Sequence, residues 1–213
     1  MGTQSQDRSA LFHVTLAAIL TLVGVIVGFA SSAIVSNLGG LISTTSGTSG
    51  VVLSLPSPWV WVGLIGVSAV IQLAGYLMFR SAFHTLTPVD RRFSTPATLA
   101  LIAVGSFIAV LVGLALILGA LYQAVQCVGS GNPITQACLF TSTFWGGLAL
   151  VAVGAIVFIV GYIGILIGIW RLGTRYSETV FKVGAVLLLI PVLNVVGAIL
   201  ILVGAQSATR KIP

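Results

Sequence analysis

Two cysteines, Cys127 and Cys138, are the residues whose type and spacing most readily suggest chemistry. Glycines and a proline lie between them, and such turn residues allow the ends of a short segment to approach each other. On the outer side of a membrane this pair would form a disulfide, and closing a loop of about 12 residues would stabilise the fold by about 3 kcal/mol in the chain-entropy model. The alternative is two free thiols at a membrane surface. A metal site is not predicted, because two cysteines without a nearby histidine or acid make half of a zinc site.

Other side chains with reactive potential are few and scattered. The acids are Asp7, Asp90 and Glu178, and the histidines are His13 and His84. Neither histidine has a serine, cysteine or carboxylate partner at a recognisable spacing, and no phosphate-binding glycine motif or hydrolytic carboxylate pair is present. We therefore predict no catalytic residue, no cofactor and no enzymatic activity.

The composition predicts that lipid surrounds most of the chain. Of the 213 residues, 58% are hydrophobic and only 6% are charged, and the mean hydropathy is +1.19. A soluble domain usually carries about 25% charged residues. The expected fold is all-α, a polytopic transmembrane helix bundle that forms a single domain over residues 1–213 in the cell membrane.

Apolar runs define the predicted membrane spans. Crossing a hydrocarbon core of about 30 Å takes about 20 residues in a helix. Five runs reach that length, at about 11–35, 58–79, 97–125, 144–170 and 183–205.

Charge predicts the orientation. Seven of the nine basic residues lie in the N-terminal tail and in two connectors, namely Arg8, Arg80, Arg91, Arg92, Arg171, Arg175 and Lys182. The segments at 36–57 and 126–143 carry no charge. Because basic residues accumulate in cytoplasmic loops, we expect a cytoplasmic N-terminus. The net charge of +6 then reflects membrane orientation, and nucleic-acid binding is not predicted because no basic stripe is present.

The fifth run contains Pro191 and Asn194, and it allows two topologies. A single kinked crossing would place Arg210 and Lys211 outside. A re-entrant hairpin bent at Pro191 would place all nine basic residues in the cytoplasm. The length favours the single crossing, because each half-helix would be too short to span the membrane, and proline is tolerated in membrane helices.

Small residues recur at helical spacing and predict close helix packing. The first span carries Gly24 and Gly28. The fourth carries four glycines that repeat every seven residues, Gly147, Gly154, Gly161 and Gly168. We call these, together with Gly164, the glycine ladder. Whether these stripes pack within one chain or between copies in a homo-oligomer is left open by the sequence.

Polar side chains inside the spans are rare. Gln72 and Asn194 are expected to form hydrogen bonds between helices more readily than to bind a substrate. No Asp, Glu, Lys or Arg lies deep in a span. Because coupled transporters carry ionisable residues within the membrane, this absence argues against a pump.

The C-terminal quarter of the chain resembles a known family. The runs Ile167–Tyr176, Lys182–Gly184 and Ile190–Ala198 are similar to the C-terminal signature of an archaeal multi-pass membrane family of unknown function. The resemblance implies an archaeal source and about five helices. It implies no activity.

Two classes of function remain. The first is a non-catalytic building block, either a homo-oligomer or an accessory subunit, with membrane lipids and other membrane subunits as partners. Its tetraspan-like layout is similar to that of organisers of eukaryotic membranes in architecture only. The second is a channel or passive transporter for a small solute. A polar cavity reaching Gln72 or Asn194 would favour the channel, and an oligomer in contact along the glycine ladder would favour the building block.

Overall fold

The computed structural model describes residues 3–42, 58–129 and 141–212. Within these residues the regular elements are helices: α1 (Thr3–Ile42), α2 (Pro58–Leu86), α3 (Ser94–Gly129), α4 (Ser142–Arg175), α5 (Thr179–Leu188) and α6 (Asn194–Lys211). Two 3₁₀ turns, Arg91–Phe93 and Pro191–Leu193, precede α3 and α6.

Helices α1 to α4 are long and apolar enough to cross a membrane, which confirms the prediction of an all-helical membrane-type chain. They are also longer than the predicted spans. For example, α3 has 36 residues, which extend about 54 Å at about 1.5 Å per residue. The hydrocarbon core of a bilayer is only about 30 Å thick. The helices therefore continue into segments predicted as loops or connectors.

The helices pack as two antiparallel hairpins joined by a third, shorter one. α1 pairs with α2, and α3 pairs with α4, while α5 and α6 fill the space between α4 and α1. Contacts between α2 and α3 complete a ring of neighbouring helices. Adjacent helices in sequence are thus adjacent in space, as expected for short connections.

The packed core occupies the half of the bundle that includes the α2–α3 connector and the end of α4. The largest fully buried side chains there include Phe83, Leu86, Phe93, Ile169, Leu172 and Phe181. In the other half, burial follows the seam between paired helices, as at Gly113 and Ala120 of α3. The apolar side chains that point away from these seams are exposed to the surroundings, which suits a lipid solvent.

Segment 183–205 doubles back as two helices, α5 and α6, which differs from the one kinked helix favoured from the sequence. A Cβ added at Gly184 of α5 would lie 3.1 Å from the carbonyl oxygen of Gly197 in α6. At the far end of the pair, Lys211 bonds Glu178 at 2.8 Å. α5 and α6 therefore run antiparallel, as in the hairpin alternative.

The chain reverses at Leu189–Leu193 because local hydrogen bonds replace the helical ones there. Leu189 and Ile190 donate their backbone N–H groups to Val186 and Leu187, and Leu193 donates to Ile190. Pro191, which lacks an N–H donor, begins the second 3₁₀ turn. With only 10 residues, α5 extends about 15 Å, half of the hydrocarbon thickness.

The hairpin brings the last two basic residues to the same end as the other seven. Arg210 and Lys211 end α6 beside Glu178, which lies just after α4. The start of α1, the α2–α3 connector and the end of α4 meet at this same end, which we call the charged end. All nine Lys and Arg residues of the chain lie at or within two helical turns of it.

Candidate functional site

The first acidic residue, Asp7, ties the start of α1 to the end of α4. Arg175 Nη2 donates to Asp7 Oδ1 at 3.0 Å and to Oδ2 at 3.3 Å. The Tyr176 hydroxyl donates to Asp7 Oδ1 at 2.9 Å. Burial, and then the hydrogen bond to Asp7, raise the pKa of Tyr176 above its ordinary value. The Asp7 carboxylate therefore binds two side chains at the end of α4, those of Arg175 and Tyr176.

The second acidic residue, Glu178, fastens the α5–α6 hairpin at its open end. It is 8% exposed and accepts hydrogen bonds from Lys211 Nζ at 2.8 Å and from Ser207 Oγ at 2.7 Å. The hydrogen bond from Lys211, followed by that from Ser207, lowers the pKa of Glu178.

A tight turn aims Glu178 at α6. Ser177 adopts a left-handed backbone with φ of 53°, the conformation that commonly ends helices. The Tyr176 N–H still bonds the Leu172 carbonyl, and the Glu178 N–H bonds the Gly173 carbonyl. This closes α4 and starts α5 within three residues.

The third acidic residue, Asp90, shapes the α2–α3 connector. Its Oδ1 accepts a hydrogen bond from the Arg92 N–H at 3.0 Å and caps the 3₁₀ turn. The Arg171 guanidinium of α4 donates to the Arg92 carbonyl oxygen. Nearby, Lys182 Nζ lies 5.8 Å from the Trp170 ring centre, a distance suited to a cation–π contact.

These contacts indicate that the acidic side chains at the charged end stabilise the fold. Asp7 and Glu178 accept hydrogen bonds that join distant chain segments, and Asp90 accepts one within its own connector. The ring Nδ1 of His13 lies 2.7 Å from the Ser9 carbonyl oxygen one turn earlier. Across the described ranges 3–42, 58–129 and 141–212, no group of three or more His, Cys, Asp or Glu residues could hold a metal ion.

One cavity lies at the charged end between α1 and α6. It has a volume of about 440 Å³ and is lined by Arg8, Phe12, Thr15 and Thr209. The first three residues are spaced four and three apart, so they share one face of α1. Sequence reasoning missed this site because Thr209 comes from the far end of the chain. The signal in the sequence that could have indicated it is the spacing of Arg8, Phe12 and Thr15 along one face of α1.

The glycines of the fourth-span ladder lie against neighbouring helices of the same chain. A Cβ at Gly147 would lie 2.8 Å from the Gly113 carbonyl oxygen of α3, and one at Gly161 would lie 2.5 Å from the Ala103 nitrogen. Gly154 faces α3 in the same way, Gly164 faces Leu99, and Gly168 faces the Phe83 ring of α2. The ladder is therefore occupied inside the chain and is not open to a second copy.

The two glycines of the first span face α2. A Cβ at Gly24 would lie 2.9 Å from Gln72 Cγ, and one at Gly28 would lie 3.6 Å from Ser68 Oγ. Ser68 Oγ also donates to the Gly24 carbonyl oxygen at 3.3 Å. Gln72 thus lies at the α1–α2 contact.

Asn194 lies at the start of α6 beside the hairpin turn. Its Oδ1 is buried and has no hydrogen-bond partner among the described residues, so the interhelical hydrogen bond expected for this oxygen is not found there. At the end of α5, the Leu188 carbonyl oxygen accepts a hydrogen bond from the Tyr162 hydroxyl of α4 at 2.9 Å.

The predicted disulfide lies outside the described residues. Cys127 belongs to the last turn of α3, which ends at Gly129, but its side chain and all of Cys138 fall outside the description. The Cys127–Cys138 bond stays a prediction.

A comparison with known families gives a match over nearly the whole chain. A model of the family described as "Protein of unknown function (DUF973)" matches residues 5–213. The chain belongs to the DUF973 family. The resemblance to an uncharacterised family is thus confirmed, and the match extends well beyond the C-terminal run. The archaeal source stays a prediction. No curated protein and no solved structure matches the chain.

Proposed function

We propose that this DUF973 protein is a non-catalytic building block of the cell membrane that assembles with further copies of itself. In this proposal α1 to α4 cross the bilayer, the α5–α6 hairpin enters and leaves on one side, and the charged end faces the cytoplasm. The location of all nine basic residues at that end supports the orientation through the positive-inside rule.

The observation that carries the assembly proposal is a stripe on the outer face of α4, beside the face that carries its glycines. Five branched residues spaced alternately three and four apart are 41–66% exposed: Val153, Ile156, Val160, Ile163 and Ile167. This spacing is the heptad pattern of helices that pack side by side. With no hydrophobic driving force in lipid, such packing relies on van der Waals fit, which stiff branched side chains favour.

Two observations favour this building block over the solute channel. The large side chains of the core, including Phe83, Phe93 and Phe181, are fully buried at the charged end, where a pore through one chain would have to pass. The cavity between α1 and α6 is lined by neither Gln72 nor Asn194, the two residues that a transported solute was expected to meet.

Site-specific photocrosslinking tests the assembly. A benzophenone amino acid at Ile156 should yield covalent dimers in native membranes, whereas the same probe at Val112 of α3, which is also exposed, should not. Equal yields from both positions, or none from Ile156, would contradict assembly through this stripe.

Liposome flux tests the competing channel. Vesicles containing the protein should shrink and recover in glycerol or urea at the rate of empty vesicles. A protein-dependent acceleration that is lost on blocking the hairpin turn would favour the channel instead.

A further inference from the structure

The cavity between α1 and α6 lies where a membrane surface would cross the bundle. Arg8 precedes the apolar run of α1, Phe12 follows one turn later, and Thr15 follows another turn later. Seven residues of helix extend about 10 Å, so the cavity reaches from the charged end into the apolar zone. The polar interface of a bilayer extends about 5–8 Å on each side of its hydrocarbon core. The cavity thus has the depth of a lipid headgroup and the start of its chains.

The charge around the cavity favours an anionic ligand. Arg8 lines it directly, where its Nη2 also donates to the Ile212 carbonyl oxygen at 3.5 Å. Arg210 follows the fourth lining residue, Thr209, in the sequence, whereas Lys211 is paired with Glu178. Basic pockets between membrane helices on the cytoplasmic side are suited to anionic headgroups.

The two threonines add a requirement for hydrogen-bond donors on the ligand. Thr15 Oγ1 donates to the Leu11 carbonyl oxygen at 2.9 Å, and Thr209 Oγ1 donates to the Ala205 carbonyl oxygen at 2.8 Å. A hydroxyl has one hydrogen and two lone pairs. With the hydrogens directed to their own helices, both oxygens remain able to accept hydrogen bonds in the cavity.

Phe12 supplies the apolar part of the site. Its side chain is 65% exposed one turn inside Arg8, where it would meet the upper part of an acyl chain. At about 440 Å³, the cavity lies within the range of about 300–1,000 Å³ typical of small-molecule sites.

We propose that this cavity binds an anionic phospholipid whose headgroup carries hydroxyl groups, such as phosphatidylglycerol. Arg8 donates to the phosphate, Thr15 and Thr209 accept from the headgroup hydroxyls, and Phe12 contacts the lipid chain. The protein thereby selects one class of lipid around its charged end. This goes beyond assembly and does not depend on it.

Native mass spectrometry of the full chain in detergent measures the binding. Phosphatidylglycerol should bind more tightly than phosphatidic acid, which is anionic but lacks a hydroxylated headgroup, and both should bind more tightly than phosphatidylcholine. Arg8→Gln should weaken phosphatidylglycerol binding about fivefold, as expected for one basic side chain near an anionic headgroup. The matched control is Arg91→Gln, an exposed connector residue outside the cavity lining, which should change binding less than twofold.

Threonine variants and a soluble headgroup analogue, glycerol 3-phosphate, test the remaining parts of the proposed site. A Thr15→Val, Thr209→Val double variant should bind phosphatidylglycerol and phosphatidic acid equally, and thermal unfolding with and without lipid gives a second measurement should Arg8→Gln fold poorly. Equal losses in Arg8→Gln and Arg91→Gln would overturn the site. Glycerol 3-phosphate binding as tightly as the lipid would replace the lipid with a soluble phosphate ester.

Discussion

Glu178 illustrates what charged residues do in this chain. It lies at the junction of α4 and α5 and contacts the end of α6 through Lys211 and Ser207. Its partner Lys211 is 59% exposed, so water screens the ion pair and its contribution is about 1 kcal/mol or less. The contact is thus weak in energy but decisive in position, because it holds the two ends of the hairpin together.

The lowered pKa of Glu178 makes hairpin stability depend on pH. A carboxyl whose pKa is lower in the folded state adds stability above its unfolded value, here 4.5, and loses it as the pH falls through the folded value. We expect unfolding in detergent to become easier below about pH 4.5, and Glu178→Gln to remove this part of the pH dependence. At neutral pH, Glu178→Gln should destabilise the protein by about 1 kcal/mol or less.

A pair of lysine and arginine variants separates this effect from general acid sensitivity. Lys211→Met removes the largest cause of the lowered pKa, so the Glu178-dependent loss of stability below about pH 4.5 should become smaller and be complete at a higher pH. Arg210→Met changes the neighbouring basic residue, which makes no described contact with Glu178, and should leave the profile unchanged. Identical profiles for both variants would show that the ion pair does not control the transition.

The sequence could not predict which charges pair. Asp7 and Arg175 are 168 residues apart, and nothing local to either residue identifies the other. What the sequence predicted correctly is coarser: acids and bases gather in the tail and the connectors. The pairing followed only from the arrangement of the helices, as did the meeting of Arg8 and Thr209 around one cavity.

At the scale of elements, the contact between α3 and α4 depends on glycine. Along the seam the backbones approach so closely that an added Cβ would meet backbone atoms, as at Gly147 and Gly161. Backbone cannot move aside as the end of a flexible side chain can. The spacing of these glycines predicted a close contact, but it did not identify α3 as the partner.

Alanine substitutions within α4 test this contact. Gly161→Ala should destabilise the protein by about 1–3 kcal/mol, the usual cost of overpacking a core, because its Cβ would lie 2.5 Å from the Ala103 nitrogen. The matched control is Gly146→Ala, in the same helix, where nothing lies within 4 Å of the added Cβ. It should be neutral or up to about 1 kcal/mol stabilising, through helix propensity alone. Unfolding in sodium dodecyl sulfate measures both, and equal effects would exclude close packing at Gly161.

The α5–α6 hairpin is the element at which the structure differs from the single helix that sequence length favoured. A run of about 23 apolar residues satisfies the length rule for one crossing, and the rule does not detect a reversal. The better signals were Pro191 followed by Asn194, and glycines at Gly184, Gly197 and Gly204 that now lie at the α5–α6 contact. Re-entrant segments need protein around them, and here α1 and α4 provide it.

At the scale of the whole molecule, polarity is divided between two ends. One end holds a packed core and all the charges, whereas the other consists of two helical hairpins with exposed apolar faces. Charge counting predicted this division for seven basic residues. The hairpin extends it to all nine, so every basic residue lies at or near one end of the bundle.

Labelling of single cysteines in intact cells tests the resulting topology, with Cys127 and Cys138 replaced by serine. Gln4→Cys and Arg210→Cys, both exposed at the charged end, should react with an impermeant maleimide only after permeabilisation, because the proposed topology places both in the cytoplasm. Ser142→Cys, exposed at the start of α4, should react without it. If Arg210→Cys instead reacted from outside while Gln4→Cys did not, the chain would cross the membrane at 183–205, and the hairpin would be wrong. In the hairpin topology the cysteines at positions 4 and 210 should show the same labelling, because α5 is too short to cross a bilayer and place them on opposite sides.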